Sequence, residues 1–186
     1  MIVDMRLRPP ILSWVGQAQF SKGGTYYRSR IGFPRPPSAE ERSVPLLMEE
    51  MATAGITTGV AMGRKSAEPF GRIDNTDIAS AVDTYPDKLV AFIGLDEADS
   101  VDENVAEIER WHDHPRFVGV SIEPGASTAA MRPDGPRIDP ICETARDRGL
   151  PVSVGLSNMM CTTVGNPYEL GSPLPLSSVA LRFPDL

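Results

Sequence analysis

Arg6 and Arg8 stand two residues apart at the end of a strand-like opening, Ile2-Val3-Asp4-Met5-Arg6-Leu7. Residues two apart on a strand point the same way. Two guanidinium forks on one side suit a carboxylate or phosphate. Arg64 closes a second strand-like run and can join them in holding a small anionic substrate. Glu123 ends the fourth such run and is the best candidate for a general acid or base. Ser157 and Asn158 follow the fifth run, where they could hydrogen-bond a ligand. The competing account is structural: Asp4 and Glu123 simply pair with Arg6 and Arg8, and Ser157 and Asn158 are surface loop polarity.

Other reactive residues carry less. His112 and His114, in Trp111-His112-Asp113-His114-Pro115, are the only histidines. They fall between a helix and the strand after it, where they complement the helix dipole better than they would serve catalysis. Cys142 lies on an apolar helix face and reads as core. Cys161 lies in a loop with no histidine placed to activate it. The two cysteines have neither disulfide-framework nor zinc spacing.

These residues sit on a repeated sentence of helix, tight turn and short apolar run. Helix one spans about residues 39–54, with Ser38 and Glu41 at capping-box spacing and Leu47, Met48, Met51 and Ala52 on one face. Helix two starts at Asn75 as N-cap and aligns Ile78, Val82 and Tyr85. Helix three opens with Ser100 and Glu103 and aligns Val101, Val105 and Ile108. Helix four has Asp139 as N-cap and Pro140 at its first position, with Ile141, Cys142 and Ala145 inward. A fifth helix carries Leu176, Val179, Ala180 and Phe183. The strands are 2–7, 57–62, 89–94, 117–122 and 151–154.

Such alternation means an α/β protein with a parallel sheet, closed as a barrel or left doubly wound. Helix-to-strand turns are short, whereas several strand-to-helix connections are long, which marks one working face. Gly23-Gly24 lacks the context of a nucleotide-binding fingerprint, which favours the barrel. We expect one partial (β/α) TIM-type barrel domain over residues 1–186, with about five of eight strand-helix units and a long loop insertion at 9–37 after strand one. The aromatics of that loop, Trp14 and Phe20 among them, argue for packing as a lid or a homo-oligomer contact.

Bulk properties narrow the partners. With 186 residues, 41% hydrophobic, the chain can bury a core. A net charge of -7 argues against nucleic acid or an anionic membrane. No apolar run is long enough for a membrane span, and the charged N-terminus does not read as a signal peptide. These features point to a cytoplasmic protein.

The phrases Ile2-Val3-Asp4, Tyr85-Pro86-Asp87-Lys88, Phe117-Val118-Gly119-Val120, Pro140-Ile141-Cys142-Glu143-Thr144-Ala145, Gly149-Leu150-Pro151-Val152 and Arg182-Phe183-Pro184-Asp185-Leu186 resemble, in order, the amidohydrolase-related family. That family includes aminocarboxymuconate-semialdehyde decarboxylase, resorcylate-type decarboxylases and metal-dependent hydrolases. The resemblance implies an eight-stranded barrel, with strands six to eight outside this chain. It implies a hydrolase or non-oxidative decarboxylase acting on a small carboxylated substrate. It also implies a divalent metal such as zinc, bound by an Asp-x-His-x-His first strand and a histidine after strand five. The matching positions here are Asp4, Arg6, Arg8 and Gly155, so the residues visible in this chain offer no such ligand. The alternative is a non-catalytic barrel relative that binds an anionic ligand or a partner protein.

Overall fold

The computed structural model describes residues 1–16, 20, 34–67, 71–156 and 167–186. Five parallel strands lie side by side in chain order: β1 Val3–Leu7, β2 Thr58–Met62, β3 Leu89–Gly94, β4 Phe117–Ile122 and β5 Val152–Val154. A doubly wound sheet would reverse its order at a switch point. Sequential winding without reversal is that of a (β/α) barrel, here incomplete, with β1 and β5 as edges.

The described helices are α1 Leu12–Val15, α2 Pro37–Glu41, α3 Val44–Thr53, α4 Asn75–Thr84, α5 Val101–Trp111, α6 Ile138–Asp147, α7 Pro167–Leu170 and α8 Leu176–Arg182. The main core lies between these helices and one face of the sheet. Ala61, Ala91, Ile93, Val120 and Ile122 meet Ile78, Val82, Ile108 and Ile141 there. The other face carries a small separate cluster of Val60, Met62 and Phe92. That second face is the barrel interior, and it leads up to the strands' C-terminal ends.

Several helix boundaries differ from expectation. The first helix breaks in two: Arg42 turns left-handed at φ 54, and Ser43 caps a new helix. Pro45 is the cause, because it lacks an N–H and its ring would clash with the carbonyl of residue 41 in a continuous helix. Ser38 therefore forms no capping box and instead bonds the Glu50 carboxylate through its N–H and hydroxyl. Asp74, not Asn75, caps α4. Asn75 is buried and clamps β3, donating to the Gly94 carbonyl and accepting from the Gly94 N–H. Helix α6 starts two residues early, at Ile138, so Arg137 rather than Asp139 is its N-cap and Pro140 falls inside its first turn. Ala52, Val101 and Ala180 are exposed rather than inward. The capping box of Ser100 and Glu103 forms in both directions.

Of the 9–37 segment, residues 17–19 and 21–33 lie outside the described residues. Trp14 and Phe20 within it pack into the main core. Among the described residues no helix is long and apolar enough to cross a membrane.

Candidate functional site

The C-terminal ends of β1, β2, β4 and β5 surround a small pocket. Strand β1 supplies Arg6 and Arg8, and the residues after β2 supply Arg64. Strand β4 supplies Ser121 and then Glu123, and β5 supplies Ser153 and Gly155. The structure thus brings four of the expected site residues together at one mouth. Ser157 and Asn158 lie outside the described residues, as does Cys161.

Strand β1 does not alternate simply. Its register against β2 runs Asp4 to Gly59 but Leu7 to Ala61, so β1 holds one extra residue. Bulges re-aim side chains and free an amide from the ladder. Here the Asp4 carboxylate accepts the Arg6 N–H at 2.9 Å. Asp4 therefore serves the Arg6 backbone rather than a guanidinium. Arg6 donates through Nη2 to Glu123 Oε1 at 2.6 Å. The structural pairing of Arg6 with Glu123 is formed, and among the described residues no arginine side chain pairs with Asp4.

Glu123 is the centre of the mouth. Its side chain is only 8% exposed. Besides Arg6 it accepts from Ser66 Oγ at 3.0 Å, and Arg64 Nε lies 4.0 Å from the same oxygen. Arg64 is buried and lies over the Trp14 ring, 5.5 Å from its centroid. Arg8 makes no hydrogen bond or ion pair among the described residues, and the buried Trp14 indole N–H has no acceptor. Among the described lining residues, three arginines face one acidic side chain.

Glycines make this arrangement possible. A Cβ on Gly63 would fall 2.1 Å from the Gly94 backbone, so glycine at both positions lets the ends of β2 and β3 abut. A Cβ on Gly155 would fall 2.7 Å from Glu123 Cγ. Any side chain at 155 would have to displace Glu123.

The loops above the strands are tied together by Asp96. Its buried carboxylate accepts from Ser127 and Thr128 hydroxyls at 2.6 and 2.9 Å and from Arg72 at 2.7 Å. Burial alone would raise its pKa. Hydrogen bonds from Ser127, the Ala98 N–H and Thr128, with the Arg72 charge, outweigh burial and hold it below the usual carboxylate range. The neighbouring Glu97 is buried, with no hydrogen-bond partner for either oxygen. Sequence reasoning passed over Ser66, Asp96 and Glu97, and it read Trp14 as part of a lid or oligomer contact rather than as a mouth residue. The rule that singled out Glu123, an acid just past a strand's C-terminal end, applies equally to Asp96 and Glu97.

The other reactive residues fall where expected. His112 pairs with Glu109 and Asp113, and His114 with Asp83, at the end of the sheet away from the mouth, before β4 begins. Cys142 is buried, and burial pushes its thiol up to about 11.

The residues at the mouth do not suit a divalent metal. Two guanidiniums stand at the first-strand positions, and a cation there repels another. The one carboxylate is already bonded to Arg6 and Ser66. Its side chain also fills the space a ligand side chain at 155 would use. Among the described residues no group of three or more His, Cys, Asp or Glu side chains could hold a metal ion.

Fold and site together define an incomplete parallel (β/α) barrel with an arginine-rich mouth. The model of the amidohydrolase family matches residues 22–186, and the chain belongs to that family. It is similar to an uncharacterised TIM-barrel protein of Bordetella bronchiseptica, with 34% identity and a TM-score of 0.85, covering 100% of this chain and 64% of that one. It also shares its fold with a 5-carboxyvanillate decarboxylase of Novosphingobium aromaticivorans, solved with manganese and a substituted nitrobenzoic acid. There the identity is 14%, the TM-score 0.61, and the coverage 94% of this chain and 56% of that one. The apo IDCase of Metarhizium anisopliae matches at 17% identity and TM-score 0.54, over 100% of this chain and 63% of that one. The chain thus spans less than two thirds of the length of each. No curated protein sequence matches it.

Proposed function

We propose that the mouth binds a small carboxylated substrate through Arg8, Arg64 and Arg6, and that the chain contributes this site to a hydrolase or non-oxidative decarboxylase working without a divalent metal. The observation that carries the reading is the gathering of three arginines at one mouth, Arg6 and Arg64 against Glu123 and Arg8 unpaired among the described residues. Guanidinium forks bind carboxylates in pairs of parallel hydrogen bonds. Glu123 is then the group that moves a proton. In hydrolysis it takes one from an attacking water and returns it to the leaving group. In decarboxylation it delivers one to the carbon that loses carbon dioxide. General acid–base help of this kind is worth about 10²–10⁴ in rate.

Isothermal titration with substituted benzoates and aliphatic dicarboxylates tests the site. We expect binding that weakens at least about tenfold on Arg8→Ala, the loss of one charge-assisted contact. Unchanged affinity in a folded variant would sink the anion site. Stoichiometric binding of zinc or manganese by protein freed of chelators would sink the metal-free mechanism.

The ion pair of Arg6 with Glu123 favours a second reading, a barrel relative that binds an anion without turning it over. Binding without turnover by the full-length protein would support it.

A further inference from the structure

Behind the mouth lies an acid that the reading above leaves unused. Glu97 follows β3 by three residues and is 1% exposed. Neither oxygen has a hydrogen bond, and among the described residues no ion pair reaches it. Its charged surroundings come from three places. Asp96 precedes it in the chain, and Glu123 faces it from the end of β4. From the connection between β2 and α4, Arg72 pairs with Asp96 and Arg64 approaches Glu123. An ionised carboxylate left bare in such a place is costly, and a neutral acid is not. Burial, the largest influence, pushes Glu97 up to about 8, and repulsion from Asp96 and Glu123 adds to it. The nearby backbone N–H groups of Glu97 and Glu123, which stand outside hydrogen-bond geometry, only temper the effect.

We propose that Glu97 holds a proton behind Glu123, and that its ionisation weakens the grip of the arginine mouth on an anion. The proposal rests on the anion-binding reading of that mouth. The geometry is that of a relay across adjacent strands. Gly94 of β3 pairs with Ser121 of β4, and the Leu95 N–H donates to the Ser121 carbonyl, so the turn that carries Glu97 starts beside the segment that leads to Glu123. With Glu97 neutral, Arg6, Arg8 and Arg64 face Glu123 alone. When its proton leaves to solvent, a second negative charge stands in the protein interior, where screening is weak. Glu97 does not line the pocket, so it is a positioning residue acting through Glu123 and the arginines.

The test is the pH dependence of affinity for 4-hydroxybenzoate, read by isothermal titration from pH about 6 to about 9.5 around the raised Glu97 value. We expect wild-type affinity to fall at least about threefold through a step near 8, and Glu97→Gln to hold the low-pH affinity across the range. A flat wild-type profile, or a step that survives in Glu97→Gln, overturns the proposal. If the probe binds at no pH, the anion reading of the mouth fails by itself. Carboxyl carbon NMR of the wild-type protein then judges the coupling. A Glu123 resonance that moves with the Glu97 titration supports the relay, and one that stays still overturns it.

Discussion

Glu123 occupies the volume that any side chain at Gly155 would need, with its Cγ 2.7 Å from where a Cβ would sit. The two positions lie just past the ends of adjacent strands, β4 and β5, and form one steric unit. Family resemblance places a metal-binding histidine at residue 155. In this chain that position is emptied, and a carboxylate held by Arg6 and Ser66 fills the space.

Gly155→Ala should therefore push Glu123 off Arg6. Overpacking of this kind costs about 1–3 kcal/mol. The double variant with Glu123→Ala should recover part of that loss, because the clash is gone. Urea denaturation of the two single variants and the double would show the non-additivity, and strict additivity would refute the steric unit.

Arg6 and Arg8 should separate stability from binding. Arg6→Ala leaves a buried carboxylate short of a donor and should cost about 1 kcal/mol, tempered by the half-exposure of Arg6. Arg8→Ala removes no described contact and should stay within about 0.5 kcal/mol while lowering anion affinity. Denaturation and titration of the same two variants check both outcomes.

Glu97 should give the protein an alkaline weakness. Its pKa is raised from 4.5 unfolded to about 8 folded, so the folded state binds the extra proton between those values. Stability from this source is complete below the lower value and is lost as pH rises through the upper one. Melting temperature should decline from pH about 5 to about 8, and Glu97→Gln should flatten that decline.

Asp96 should behave in the opposite sense. Its pKa is lowered, so its contribution is present above the usual carboxylate value and lost as pH falls through the folded one. Asp96→Ala unties Arg72, Ser127 and Thr128 at once. A loss of about 2–4 kcal/mol is expected, with faster amide exchange in the loops after β2 and β4.

Cys142 should resist thiol reagents at neutral pH, since burial pushes its pKa up to about 11. Mass mapping of the Cys142 peptide after brief labelling should show modification only under unfolding conditions.

By itself the sequence determined the order and type of the elements. Leu89–Gly94 and Phe117–Ile122 are strands as read, and Ser100 with Glu103 caps its helix in both directions. These signals are local: apolar periodicity and a cap lie within a few residues of one another. The break before Pro45 was legible too, because a proline cannot continue a helix, yet the apolar spacing concealed it. The sequence also displayed arginines where the resemblance asks for histidines. Tertiary structure decided the rest. Only strand pairing reveals the extra residue in β1 that diverts Asp4 to the Arg6 backbone. Only packing shows that Gly155 yields its space to Glu123, or that Glu97 is buried without a partner. Volume, burial and hydrogen bonding between residues far apart in sequence are properties of the assembled sheet, and no local pattern encodes them.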